Sequence, residues 1–303
     1  MSAMSGKEAP WQAYAALLIG LVILGFSPVL VRAAGAPGVV VGIYRVGIGA
    51  LVLTIPFLQQ LRAGVRIPRH LFWASALAGV LFGLDVAAWT SGIVISGATI
   101  PTLLANTAPL WVGLGAWLLF KEQLTLRFWL GLGLALLGAA LVLGLRLGGS
   151  IPLDQGALLG VLAGVFYGGY FLATQRARAE LPLIPFFWVS AVFSTLTMLV
   201  IMLVLGHSLT GYNPPTYLNF LVQGVVIQAG GWLLISYAQG HVPASLVAPT
   251  LLGQPVITAL LAGPLLGEVL RRNHLLGGAA VLAGVLLVHT SRRSRKEKVI
   301  PAT

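Results

Sequence analysis

The chain has 303 residues, 58% of them hydrophobic and 8% charged, with a formal net charge of +11, a mean hydropathy of +0.95 and no cysteine. An ordinary soluble domain carries about 25% charged residues, so a soluble two-domain enzyme, a disordered scaffold and a disulfide framework are excluded. Its 18 basic residues are spread along the chain instead of clustered on one face, which excludes a nucleic-acid partner.

Ten stretches reach the roughly 20 apolar residues that a helix needs to cross a hydrocarbon core about 30 Å thick. In chain order they are Trp11–Val31, Val39–Leu58, His70–Trp89, Ser96–Phe120 and Phe128–Leu145, then Gln155–Ala177, Ile184–Leu205, Tyr217–Gln239, Val242–Leu266 and His274–Thr290. The runs are long and continuous, not alternating ten-residue pieces, so the spans are helices and not barrel strands. The first stretch precedes small residues, Ala33-Ala34-Gly35-Ala36, but it is too long for a signal peptide and Lys7 is the single basic residue in the region before it. It is read as a true span. The expected fold is therefore an all-α polytopic membrane protein with ten transmembrane helices.

Loop charge sets the orientation. With both termini on the cytoplasmic side, thirteen basic residues lie inside, four (Arg32, Arg146, Arg271 and Arg272) lie outside, and Arg45 sits within a span. The expected location is the bacterial inner membrane, multi-pass, with N- and C-termini cytoplasmic. The basic tail, Arg292 to Lys298, is a topology anchor that also touches anionic lipid.

Sliding the chain by 146 residues superposes Pro109 on Pro255, Glu122 on Glu268, Gly131 on Gly277 and Gly138 on Gly284. From Gly97 to Gly144 the shift yields 13 identities in 48 positions, where this composition gives about five by chance. The divide falls near Gly148–Pro152 and leaves five spans on each side, a first repeat over residues 1–148 and a second over 149–303. Five is odd, so the second repeat enters the membrane with opposite polarity. Such inverted repeats in secondary transporters hold their substrate near the midplane.

Each repeat closes with a Pro-bearing helix, a Lys-Glu or Gly-Glu corner and a Gly-rich helix: "ANTAPLWVGLGAWLLFKEQLTLRFWLGLGLALLGAALVLG" and "TLLGQPVITALLAGPLLGEVLRRNHLLGGAAVLAGVLLVH". With Arg45 in "GIYRVGIGALVL", these stretches resemble the drug/metabolite transporter (DMT) superfamily in its ten-helix EamA-type branch. Within that branch the chain looks most like the YddG-type aromatic amino-acid exporters. The resemblance covers nearly the whole chain and implies an exporter working by alternating access.

Only two ionisable side chains lie well inside the spans, Arg45 and Asp85, at similar depth on antiparallel second and third spans. Either they form a buried ion pair that fixes the helices, or they face the pathway and hold a zwitterion. Asp85 is also the candidate carrier of a coupling proton. Polar stripes mark inward faces: Thr99, Thr102 and Asn106 on the fourth span, Thr250, Gln254 and Thr258 on the ninth, and Gln228, Trp232, Ser236 and Gln239 on the eighth. The Ser and Thr hydroxyls can bond back to their own helix, whereas the amides of Asn106, Gln228 and Gln254 cannot, so these are the substrate candidates. Trp89, Phe166, Tyr170 and Trp232 are candidates for stacking an aromatic side chain or holding an ammonium.

The sixth span carries Gly156, Gly160, Gly164 and Gly168, one glycine per turn, either a sliding face or static close packing. The paired Pro109 and Pro255 are hinge candidates and point to the repeat interface as the site.

No enzyme, cofactor or metal signature is present: the chain lacks a P-loop, an HExxH and paired acids, and its five histidines are scattered. An acid in the first span, as small multidrug exporters have, is missing, and a single core cation is too few for phosphate-bearing substrates. One Arg, one Asp and many aromatics suit a zwitterion with an apolar side chain. The expected function is export of aromatic and other neutral amino acids. The alternatives are export of other small hydrophobic or cationic metabolites and drugs, and a membrane-embedded enzyme, which His207 and His241 side by side in a pocket would favour. The implied partners are a small-molecule substrate and the lipid bilayer, and a monomer suffices.

Overall fold

The computed structural model describes residues 10–96, 99–144, 154–266 and 272–299. Ten apolar helices emerge, written here as α1 (Trp11–Val31), α2 (Gly38–Arg62), α3 (Arg69–Ile93), α4 (Ile100–Phe120), α5 (Leu126–Val142), α6 (Gln155–Arg178), α7 (Leu183–Val204), α8 (Pro214–Gln239), α9 (Ala244–Leu260) and α10 (Arg272–Ser291). Eight are long and apolar enough to cross a membrane, while α5 and α9 are shorter apolar helices. Helix is forced on each of them because no water is present in a hydrocarbon core to satisfy backbone groups. The third helix continues to Ser96 and does not end at Trp89. Its polar Thr90 stays helical by bonding back to the Val86 carbonyl at 2.7 Å, and Gly92 tucks against Pro101. The fifth helix stops at Val142, and Gly144 (φ +87°) turns the chain away.

Several helices are interrupted, each with a visible cause. Pro28 lacks the amide hydrogen that a continuous α1 needs, so the helix breaks at Phe26 between Trp11–Gly25 and Ser27–Ala33. Pro109 sits at the restart of α4 after a break at Asn106-Thr107. In α9 a 3-10 turn, Leu251–Gly253, is flanked by Pro249 and Pro255. The middle of α8, Gln223–Trp232, is wound as a π-helix, a conformation common at functional sites.

Side-chain contacts give the directions of the helices. The end of the bundle holding the start of α1 and the finish of α6 also holds Arg62, Arg66, Arg69, Lys121, Arg127 and Arg176, and is called the basic end. The opposite end is called the cavity end. Packing runs chiefly across the two repeats: α3 lies on α6 and α7, α2 on α7 and α8, α4 on α6, and α5 on α10. The repeats are thus interleaved and are not two separable lobes.

The contact of α5 with α10 carries the duplication in its geometry. A Cβ on Gly138 would fall 2.5 Å from the Gly277 carbonyl, and one on Gly277 would fall 2.6 Å from the Gly138 carbonyl. Gly131 and Gly284 face each other in the same reciprocal way, at 2.8 and 2.5 Å. Gly131 and Gly138 are the 146-residue counterparts of Gly277 and Gly284, so equivalent residues meet in swapped pairs, as a pseudo-two-fold axis requires. The divide proposed from sequence, residues 148–149, and Glu268 lie outside the described residues.

Replacing Gly138 or Gly277 by Leu is expected to lower the melting temperature of the detergent-solubilised protein by at least about 5 °C, the scale of an overpacking penalty of a few kcal/mol in a chain this long. Gly133→Ala, where an added Cβ meets no atom within 4 Å, should melt as the parent does.

Candidate substrate site

A cavity of about 400 Å³ lies between the two repeats, in the size range of small-molecule sites. Its wall draws on α1 (Leu24, Ser27, Pro28), α2 (Arg45), α3 (Phe82, Asp85, Trp89), α4 (Thr102, Asn106), α6 (Tyr167), α8 (Trp232) and α9 (Gln254, Pro255, Thr258). It reaches Leu143 after α5 and His274 near the start of α10, which places it in the cavity-end half of the bundle.

Both intramembrane charges reach this wall. Arg45 is 5% exposed and Asp85 8% exposed. Arg45 Nη1 donates to Ser27 Oγ at 3.4 Å, its guanidinium carbon sits 5.9 Å from the centre of the Phe82 ring, and its Nε has no acceptor. Among the described residues the only ion pair within 4.0 Å is His70–Glu180 at the basic end, so Arg45 and Asp85 share the cavity without closing on each other. Both side chains line the cavity, and the buried Arg45 Nε makes no hydrogen bond.

Aromatic rings form the floor. Trp232 packs edge-on to Phe82 at 4.8 Å, Tyr170 at 5.7 Å and Tyr167 at 5.9 Å. Tyr170 lies one turn below Tyr167 and is buried beneath the lining. Phe166 is not among the lining residues: a step of about 100° around α6 turns it away and brings Tyr167 in its place. Gln228 is also set back from the wall, packed against Gly49, with its Oε1 unpartnered.

The remaining polar groups divide as their chemistry suggests. Trp89 Nε1 donates to Thr102 Oγ1 at 3.0 Å, and the Thr258 hydroxyl donates to the Gly25 carbonyl at 2.8 Å. Asn106 lines the cavity with a buried, unpartnered Nδ2. Pro109 lies beside a smaller void shared with Asn106, Tyr167 and Gln254, while Pro255 lines the main cavity. The glycine stripe of α6 receives α4: Gly160 faces Pro101, Gly164 faces Thr107, and Gly168 faces Trp111, while Gly156 meets Gly92 of α3. His207 follows α7 at the cavity end and His241 follows α8 at the basic end, so they form no common site.

At the basic end the bundle is closed by a network that sequence reasoning missed. Lys121 takes a left-handed conformation (φ 53°), which turns Glu122 back over the helices. Gln175 Nε2 donates to Glu122 Oε1 at 3.3 Å and Ser245 Oγ donates to Oε2 at 2.7 Å. Gln175 in turn accepts from the Ala244 amide. One carboxylate of the first repeat thus ties together α6 and α9 of the second. The Lys-Glu corner was visible in the sequence, and the Gly-Glu of the second repeat hinted that residue 121 needs a left-handed φ. Its partners, far away in sequence, were not visible.

Ten interleaved helices, a cavity between duplicated halves and a seal at one end define a membrane transporter of the inverted-repeat kind. The chain belongs to the EamA-like transporter family, which it matches twice, over residues 11–144 and 154–290. Members of this family are transporters, not enzymes. Similar proteins include an "Uncharacterized transporter" of Archaeoglobus fulgidus, 28% identical over 90% of this chain and 94% of its own, and the "Uncharacterized transporter YvbV" of Bacillus subtilis, 27% identical over 97% of both. A solved crystal structure superposes with a TM-score of 0.77 over 93% of this chain and 98% of its own, at 17% identity, a likeness of fold.

Glu122→Ala removes the acceptors of Gln175 and Ser245. Amide hydrogen exchange across Ala244–Thr250 should accelerate about tenfold, the factor that corresponds to losing roughly 1.4 kcal/mol of hydrogen bonding, while exchange in Leu126–Val142 stays unchanged.

Proposed function

We propose that the protein exports aromatic and other neutral amino acids across the bacterial inner membrane by alternating access, with both termini cytoplasmic. The observation that carries this reading is the unpaired sharing of one aromatic-floored cavity by Arg45 and Asp85. Arg45 offers fixed donors to a carboxylate, Asp85 offers an acceptor to an ammonium, and Phe82, Tyr167 and Trp232 offer faces and edges to an apolar or aromatic side chain. Asn106 and Gln254 supply further hydrogen bonds. The excess of Lys and Arg at the basic end supports a cytoplasmic position for that end, and on that orientation the cavity belongs to the outer half of the bundle.

The inverted repeat supports a specific exchange of roles. Glycine-lined α6 packs closely on α3 and α4, while its counterpart α1 packs more sparsely on α8 and α9. Swapping these two packings closes the outer cavity and opens the basic end. Asp85 is the group we assign to carry a coupling proton.

Counterflow in proteoliposomes tests the reading. Labelled phenylalanine uptake should saturate and be unaffected by excess choline, and Arg45→Gln should reduce it at least tenfold. Uptake of choline alone would contradict it. Asp85→Asn should fold and abolish stimulation by a pH gradient; a folded Asp85→Asn that still responds to pH removes Asp85 as the proton carrier.

A further inference from the structure

A second arginine is buried at the opposite end from Arg45, and the outer cavity does not use it. Arg178, the last residue of α6, is 9% exposed. Its Nε donates to the Ser236 carbonyl at 3.1 Å and its Nη1 donates to the Leu181 carbonyl. Among the described residues no carboxylate lies within 4.0 Å of it. Its guanidinium also crowds Gly240, where an added Cβ would fall 2.4 Å from Nη2. A side chain that reads in sequence as one more loop cation is in fact enclosed.

Between Arg178 and the floor of the cavity, unsatisfied polar atoms accumulate. Gln239 has no exposed surface, and neither its Oε1 nor its Nε2 has a partner. A buried primary amide with no bond made is costly, and Gln239 has nothing on its own helix to relieve it. One turn nearer the cavity, Ser236 and Thr174 are fully buried, and the Tyr170 hydroxyl lies beside both. On α6 the order is Tyr167, Tyr170, Thr174, Arg178; on α8 it is Trp232, Ser236, Gln239. Eleven residues from Tyr167 to Arg178 span about 16 Å at 1.5 Å per residue. The row therefore leads from the cavity floor to the seal formed by Glu122, Gln175 and Ser245.

We propose that α6 and α8 line the second half of the transport pathway, with Arg178 as an inner carboxylate-binding station that takes over the anionic end of the substrate from Arg45. Gln239 supplies the hydrogen bonds that accompany the transfer. When the basic end opens, the carbonyls that Arg178 now holds are released to water and its donors turn to the substrate. This rests on the reading of the protein as an exporter of zwitterions.

The test uses the absence of cysteine from the 303-residue chain, since Gln239→Cys gives it a single thiol. Its labelling by a water-soluble maleimide should be slow and should accelerate at least fivefold with saturating phenylalanine or in the Glu122→Ala background. In parallel, Arg178→Gln should bind labelled phenylalanine with a Kd within threefold of the parent but lose at least tenfold in counterflow. If Arg178 were only a cap on α8, Arg178→Gln would lower the melting temperature and leave counterflow per folded molecule unchanged, which overturns the proposal. Labelling unmoved by both treatments overturns it as well, and that experiment does not depend on Arg178→Gln folding. Acceleration by Glu122→Ala without phenylalanine transport by the parent would uphold the α6–α8 pathway and sink the amino-acid reading. Normal phenylalanine counterflow with an inert thiol in the Gln239→Cys variant would do the reverse.

Discussion

Four glycines hold the molecule to its plan. Where α5 crosses α10, backbone meets backbone, because Gly131, Gly138, Gly277 and Gly284 leave no room for a single added carbon. In a bilayer no hydrophobic force draws helices together, so association depends on such close van der Waals contact. Because the four glycines pair reciprocally, the contact looks the same from either repeat. Its cavity-end tip, Val142 and His274, borders the cavity, and we assign the motion to the other eight helices.

The rest of the structure departs from that symmetry, and the departure is informative. Equivalent helices α1 and α6 do not pack equally: the glycine stripe of α6 admits α4 closely, whereas α1 is broken at Phe26 and borders the cavity. One end consequently holds a 400 Å³ cavity with two unpaired charges, and the other holds the Glu122 network. We propose that these two unlike packings are interchangeable, the repeats exchanging roles between them. The repeats are interleaved, so we propose that helices exchange contacts when they swap roles.

Much of this architecture was legible in the sequence because lipid imposes simple rules. Ten apolar runs became ten helices, and the intramembrane Arg45 and Asp85 reached the cavity because a charge has few other places to go. Trp89, Asn106, Trp232, Gln254 and Pro255 were found there on the same grounds of polarity, aromatic character and repeat position. Phe166 and Tyr167 are neighbours, and only the rotation of α6 decides which of them faces inward. Ser27 and Phe82 carry no signal beyond an ordinary hydroxyl and an ordinary ring. The basic-end network and Arg178 were illegible for a deeper reason. Residues at span ends are counted as topology charges, and nothing in their local sequence shows that another helix will cover them.

The central claim is that the two ends open alternately while the α5–α10 contact stays fixed. The cysteine-free chain allows it to be measured by electron-spin distance spectroscopy on three pairs of introduced cysteines. Positions Gln123 and His241 report the basic end, Ala33 and Arg272 report the cavity end, and Leu137 and Leu282 report the outward faces of α5 and α10, all six exposed. With phenylalanine present, the account predicts a longer basic-end distance, a shorter cavity-end distance and no change between Leu137 and Leu282. Both ends lengthening together, or movement of the Leu137–Leu282 pair, would contradict it.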